Sequence, residues 1–230
     1  MKIIGHRGAA GIALENTLQS IEAALTAGVD AVEIDVRLTI DGQFVLSHDA
    51  TLRRVGGHGK LIANETLASL QQLCLRNNQS PPSLDQVLAA MRGTMLLIEA
   101  KGHGWAESLS HVLRNATGQP VTVIARDQTE LALFHKLVPK VPVYLVQRFN
   151  PIDVLQALQV ARHYGFTGVD LNFWLLNPLT YWMARRYKLR VIVYSVDHIW
   201  IVRFLLRLFP EIAITTNHPQ RMQFLRTSAK

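Results

Sequence analysis

The sequence predicts an α/β fold, a (β/α)8 or TIM barrel with a short insertion after its second strand. Three observations predict it. Eight short runs rich in Val, Ile and Leu recur along the 230 residues, and their non-alternating character is that of parallel strands covered on both faces. Between them lie segments whose apolar residues recur at helical spacing. Eight such units in about 250 residues is the barrel count. A doubly wound open sheet would carry a Gly-rich dinucleotide turn after strand one, and this chain has His6-Arg7-Gly8 there.

Strand one is 2–5 and breaks at Gly5. Glu15-Asn16-Thr17 opens a helix with Leu18, Ile21, Ala24 and Leu25 on its apolar face, and Gly28 stops it. Strand two is 31–36; after the Asp41-Gly42 turn a small extra strand follows at 44–47. Residues 50–82 break the rhythm with Gly56-Gly57-His58-Gly59 and Pro81-Pro82, and hold one helix near 67–73. An excursion of that length is expected as a functional lid or wall. Alternation resumes at Ser83, the cap of a helix that buries Leu84, Val87, Leu88 and Met91. Strands three to five are expected at 95–100, 121–125 and 143–146, with helices at 105–115, 128–138 and 151–164, the last begun by a proline. Strands six to eight follow at 168–171, 190–195 and 212–215, with helices at 178–187, at 198–208 and from about 219. One domain thus spans 1–230, with the insertion at about 50–82.

The net charge of +7 and pI near 9.9 point to anionic partners. The basic residues are scattered, with no run long enough for a nucleic-acid arm. A phosphate-bearing small molecule, or loose attraction to anionic lipid, accounts for the sign, and no nucleic-acid partner is expected. The N-terminus lacks the apolar core of a signal peptide. The most apolar later stretch, 199–209, is broken by Arg203 and Arg207 and falls short of the roughly 20 residues a membrane span needs. Its apolar circumference predicts tight burial, or contact with a second copy. The single cysteine, Cys74, allows no internal disulfide; it is expected to be semi-buried and inert. A cytoplasmic protein is expected.

In such a barrel the functional groups sit at the C-terminal ends of the strands, and the polar residues collect there. His6 and Arg7 follow strand one, Glu33 and Asp35 lie late in strand two, and His48 ends the hairpin after it. Glu99 and Lys101 end strand three, Gln147 and Arg148 strand five, Asn172 strand six, and Asp197 follows strand seven. Residues two apart in a strand share a side, so Glu33 and Asp35 converge. Singly, each residue has a plain explanation: a strand-end histidine is often only hydrogen-bonded, and the acid pair could be salt-bridged to Arg37. Together they need more, because three carboxylates in one low-dielectric mouth without a counter-cation would each cost roughly several kcal/mol. Glu33, Asp35 and Glu99 form a hard-oxygen set suited to Mg²⁺ or Ca²⁺. His6 and His48 supply an acid and a base, and Arg7 and Lys101 suit phosphate.

The ordered motifs Gly5-His6-Arg7-Gly8, Glu15-Asn16-Thr17, Glu33-Ile34-Asp35-Val36, His48-Asp49, Pro82-Ser83-Leu84-Asp85 and Ile98-Glu99-Ala100-Lys101 resemble those of the glycerophosphodiester phosphodiesterase family, over essentially the whole chain. The resemblance implies metal-dependent hydrolysis of glycerophosphodiesters, such as glycerophosphocholine or glycerophosphoethanolamine, to sn-glycerol 3-phosphate and an alcohol. It implies Glu33, Asp35 and Glu99 as ligands of one divalent cation, Mg²⁺ or Ca²⁺, His6 and His48 as the acid/base pair, and Arg7 and Lys101 at the phosphate; within the pair we assign His48 as the acid and His6 as the base. Three positions depart from the family pattern. Leu14 replaces a usual Pro; Tyr194-Ser195-Val196-Asp197 stands where the family often has Trp-Thr-Val-Asn; and Thr216-Asn217-His218-Pro219 stands for Thr-Asp-x-Pro.

Phe173, Trp174, Leu175 and Leu176 crowd the loop after strand six, and with Tyr194 make Phe173 and Trp174 candidates for a pocket wall. That loop and the basic charge admit a second activity, lysophospholipase D hydrolysis of lipid phosphodiesters with peripheral membrane contact. A barrel that binds phosphodiesters without cleaving them would be expected to lack one of the five first-named acids and histidines, and all five are present.

Overall fold

The computed structural model describes residues 2–91, 93–115, 118–147 and 153–223. Its strands are β1 (Lys2–Gly5), β2 (Ala31–Leu38), β3 (Phe44–Leu46), β4 (Thr51–Leu52), β5 (His58–Leu61), β6 (Met95–Lys101), β7 (Val121–Ala125), β8 (Val143–Gln147), β9 (Gly168–Asn172), β10 (Arg190–Tyr194) and β11 (Ala213–Thr216). The helices are α1 (Leu18–Thr26), α2 (Arg53–Gly56), α3 (Leu67–Gln71), α4 (Leu84–Ala90), α5 (Ala106–Asn115), α6 (Gln128–Leu137), α7 (Asp153–His163), α8 (Pro178–Arg186) and α9 (Ile199–Leu208). The strands β1, β2, β6, β7, β8, β9, β10 and β11 pair in parallel in that order, and β11 pairs back to β1, so the sheet closes into a TIM barrel. The antiparallel β3 hangs on β2 outside the ring.

The apolar runs divide between two cores, which is why the strands do not alternate. Ile4, Ala31, Leu97, Ile124, Tyr144, Val146 and Ile192 fill the inside of the barrel. Their sequence neighbours Ile3, Val32, Ile98, Val123, Leu145 and Val193 point outward and pack under the helices. Local signals place the helix starts: Thr17 with Ser20, and Ser83 with Gln86, form reciprocal capping boxes, and Asn177 caps α8 just before Pro178.

The sequence reading needs four corrections in detail. Glu15 and Asn16 do not open α1; they lie in the turn before its cap, which frees both side chains for the mouth. Cys74 is exposed, on the outer surface of the insertion. The helix α9 is not tightly buried: Val202 and Leu205 face the barrel, while Trp200, Phe204 and Leu208 face outward, because the sheet can cover only one side of an outer helix. The expected closing helix is, within the described residues, a short 3-10 turn at Pro219–Met222. Arg148 and Pro151 lie outside the described residues.

The excursion at 50–82 is built rather than loose. The β4–β5 hairpin, α2 and α3 enclose a small core of Val45, Leu52, Ile62, Leu70 and Leu75. Its end returns to its beginning, where Val45 bridges Ser83 and the Leu46 N–H donates to the Pro82 carbonyl at 2.9 Å.

Candidate active site

The register of β2 against β6 sets Asp35 beside Glu99 and Arg37 beside Lys101. Strand periodicity then turns Glu33 to the same side as Asp35, and all three carboxylates are buried. One oxygen from each lies within 4.8 Å of the other two. The Lys101 ammonium reaches Asp35 Oδ1 at 2.9 Å and Glu99 Oε1 at 2.6 Å, at angles outside hydrogen bonding, and Arg7 Nε lies 3.1 Å from Asp35 Oδ2. Glu33 Oε1 has no hydrogen-bond partner among the described residues. Arg126 Nε lies 3.7 Å from Glu99 Oε1; with the buried Asp170 in the same cavity, four carboxylates face three cations and leave the site anionic. Burial, with Asp35 and Glu99 as like charges beside it, pushes the Glu33 carboxyl well above its usual range. Burial also opposes the charge on Asp35, but Lys101 and Arg7 outweigh it and hold that carboxyl low. Buried, mutually repelling, oxygen-only donors with one unpartnered oxygen fit a hard divalent cation.

The turn after β1 holds the other half of the site in an uncommon backbone. Arg7 has φ +50° and Gly8 φ +82°, and at Gly8 a side chain would run into Ser20. The Arg7 N–H donates to Glu33 Oε2 at 2.7 Å, and the Gly8 N–H to the Glu33 carbonyl at 3.0 Å, which fixes the turn on the acid it faces. Asn16, at φ +55°, clasps Asp35 twice: its Nδ2 donates to Asp35 Oδ2 at 2.9 Å and its Oδ1 accepts from the Asp35 N–H at 3.0 Å. Two strained residues at one mouth, each held by bonds to an acid, is how a site keeps sparsely populated backbone in place.

Each histidine is held at Nδ1, by partners of different charge. His6 Nδ1 lies 2.7 Å from Asn217 Oδ1. The amide nitrogen of Asn217 donates to Asp197 Oδ2 at 2.8 Å, so its oxygen must face the ring. A carbonyl only accepts; His6 therefore carries its proton on Nδ1 and shows a bare Nε2, 3.9 Å from Glu33 Oε2. Burial, then the Arg7 guanidinium, lower its pKa to about 4. His48 Nδ1 instead meets the Asp49 carboxylate at 2.9 Å, and Arg37 donates to the His48 carbonyl at 2.8 Å.

A cavity of about 270 Å³ joins these groups, lined by His6, Arg7, Glu33, His48, Glu99 and Lys101, with Ile124, Arg126, Asp170, Asn172, Tyr194, Ser195 and Thr215. Asp35, wholly buried, is not part of the lining. Of the expected wall, Tyr194 lines the cavity, and its hydroxyl donates to the Gln147 carbonyl at 2.8 Å. Phe173 and Trp174 pack on each other outside the lining, with ring centroids 4.6 Å apart. Sequence reasoning passed over Asn16, Asp170, Arg126 and the joint role of Asp197 and Asn217. Asp170 carried a visible signal, a lone acid inside an apolar strand; burial and the nearby Glu99 push its carboxyl well above the usual range.

Comparison with known proteins bears on the family and the fold. A model of the glycerophosphoryl diester phosphodiesterase family matches residues 6–221. YhdW of Bacillus subtilis (strain 168), named as a candidate glycerophosphodiester phosphodiesterase, is 29% identical over 212 residues, 86% of this chain and 87% of its own. A lysophospholipase D of Rattus norvegicus, GDPD1, is 50% identical over 54 residues, 24% of this chain and 17% of its own. An Oleispira antarctica phosphodiesterase, solved in complex with the product sn-glycerol-3-phosphate, superposes with a TM-score of 0.89 at 23% identity, covering 99% of this chain and 97% of its own.

Proposed function

The chain belongs to the glycerophosphoryl diester phosphodiesterase family, and from that premise we propose that it hydrolyses glycerophosphodiesters, glycerophosphocholine and glycerophosphoethanolamine among them, to sn-glycerol 3-phosphate and a free alcohol. One observation carries the reading: two histidines open on one cavity, one held by a neutral carbonyl and the other by a carboxylate. A neutral imidazole with a bare Nε2 is made to take a proton; an imidazole backed by a carboxylate is made to hold one. His6 Nε2 accepts the proton of the attacking hydroxyl, which is water's, or the glycerol's own, in which case a cyclic phosphate forms and water then opens it to sn-glycerol 3-phosphate. His48, protonated and steadied by Asp49, gives its Nε2 proton to the departing alkoxide oxygen. Arg7 and Lys101 bind the phosphate oxygens. Glu33, Asp35 and Glu99 would hold Mg²⁺ or Ca²⁺, which when bound supplies Lewis-acid neutralisation of the phosphodiester.

The test is release of glycerol 3-phosphate from a panel of glycerophosphodiesters and lysolipids, with Mg²⁺, Ca²⁺ or EDTA. Turnover that needs the ion, and falls by about 10²-fold or more in His48→Ala, is expected. Full activity in EDTA removes the metal from the reading, and a panel left intact removes the substrate class. A second reading, lysophospholipase D hydrolysis, is favoured by Trp174, which is exposed beside the mouth; faster turnover of lysolipids than of glycerophosphocholine selects it.

A further inference from the structure

Three of the four tryptophans lie on the outside of one flank. Trp174 is 70%, Trp182 61% and Trp200 66% exposed, while Trp105 is wholly buried. A tryptophan is usually among the most covered residues, so three bare ones on one side call for an occupant. Around the ring α8 and α9 are neighbours on either side of β10, and Tyr181 of α8 packs on Phe209, the residue that caps α9, with ring centroids 5.0 Å apart. Their outward stripes are alike. In α8, Leu179, Trp182 and Arg186 follow at i, i+3 and i+7; in α9, Trp200, Phe204 and Leu208 follow at i, i+4 and i+8, with Arg203 and Arg207 alongside. Neither helix contains an acidic residue. Arg185 is paired with Glu211, while Arg186, Arg203 and Arg207 are exposed.

We propose that this α8–α9 flank docks on a bilayer surface rich in anionic lipid. Bare Trp, Phe and Leu side chains interleaved with arginines on one helical face are what an interfacial helix presents, the rings entering the headgroup boundary and the guanidinium groups meeting lipid phosphates. Charge selects this occupant over a second copy. A two-fold contact through the same face brings the arginines of one chain against those of the other, with no acid on either helix to separate them. No helix among the described residues is long and apolar enough to cross a membrane, so the contact is peripheral. Trp174 sits at the mouth end of the flank, which keeps the cavity beside the docked surface. The surface stands independently of the catalytic reading.

The experiment is sedimentation with vesicles of phosphatidylcholine alone or mixed with phosphatidylserine, alongside tryptophan fluorescence. The chain is expected to bind the mixed vesicles with a blue-shifted emission, and raised salt to weaken the binding. The variant Trp182→Ser/Trp200→Ser/Phe204→Ser is expected to lose at least about tenfold in binding with its circular dichroism unchanged. Arg203→Gln/Arg207→Gln is expected to erase the preference for phosphatidylserine. Failure of the unaltered chain to bind mixed vesicles overturns the proposal, as does undiminished binding by the triple variant. A dimer in sedimentation equilibrium that the triple variant dissolves also overturns it, in favour of a second copy.

Discussion

Asn217 Oδ1 stands 2.7 Å from His6 Nδ1, and the charge of the Asn217–Asp197 pair sits one residue further from the ring, on Asp197. Asp197 also accepts from the Asn217 N–H at 2.8 Å and the Thr216 hydroxyl at 3.0 Å. Where the resemblance implies an amide at 197 and an acid at 217, this chain has the two exchanged, and the pair is joined by hydrogen bonds.

This exchange predicts a strong coupling. Asn217→Asp alone faces one carboxylate with another and is expected to lower both stability and kcat. Adding Asp197→Asn restores a donor and an acceptor and is expected to recover most of the loss, with an interaction energy of about 1–3 kcal/mol. A double-mutant cycle by chemical denaturation measures it, and nitrogen NMR of His6 reports whether the Nδ1-protonated tautomer persists. Strictly additive losses would show that the two residues act separately.

Asp49→Asn is expected to slow hydrolysis of glycerophosphocholine by about 10–100-fold, since the carboxylate no longer supports a protonated His48. With a nitrophenyl ester, whose leaving group needs no proton, the loss should nearly vanish. Equal losses on both substrates would mean that Asp49 matters only for the shape of the loop.

The crowded carboxylates predict opposite effects of one substitution. Glu33→Gln removes a like charge from beside Asp35 and Glu99, so in EDTA it is expected to raise the melting temperature. The same change should remove stabilisation by Mg²⁺ or Ca²⁺, which for the unaltered chain is about 2.7 kcal/mol at a hundred times the dissociation constant. Differential scanning calorimetry with and without the ion reads both effects.

Glu15 ties Arg7 to the insertion. Its Oε1 accepts from Arg7 Nη1 at 2.8 Å and from Arg54 Nη2 at 2.7 Å, and its Oε2 from Arg54 Nη1 at 2.6 Å. Burial opposes the charge on Glu15, but the two arginines outweigh it and hold the carboxyl below its usual value. A depressed folded-state pKa gives stability that is present above the unfolded value, about 4.3, and lost as pH falls through the folded one. Glu15→Gln is expected to cost about 1–2 kcal/mol at pH 7, and the two proteins should converge as the pH drops below about 4. Urea denaturation at both pH values checks the sign.

The parts of the site legible in the sequence are those written in local patterns. Glu33 and Asp35 on one strand, and Glu99 with Lys101 on another, declare a shared side through period-two spacing, and the barrel count brings those sides together. Asn16 was legible as a motif letter but not as a clasp, because its part depends on a left-handed backbone two residues before the helix begins. The partnership of His6 with Asn217 joins residues 211 positions apart, and it depends on β11 closing against β1. The exposed face of α9 was hidden for the opposite reason: composition reads as burial until the sheet has used up the other side. Cys74 is hidden from the sequence in the same way, since the insertion packs Leu75 inward and leaves the residue just before it outside.

The stitch between Val45–Leu46 and Pro82–Ser83 gives the excursion two ends in one place. A segment that leaves and re-enters at a single point, with its own small core, is an exchangeable cassette. It can be lengthened, shortened or swapped between relatives without changing barrel register. Among the described residues, its side-chain hold on the catalytic turn is Arg54, through Glu15 and Asp49. Change can thus accumulate in that segment while the barrel beneath it, and the cavity that no residue of 50–82 lines, stay put.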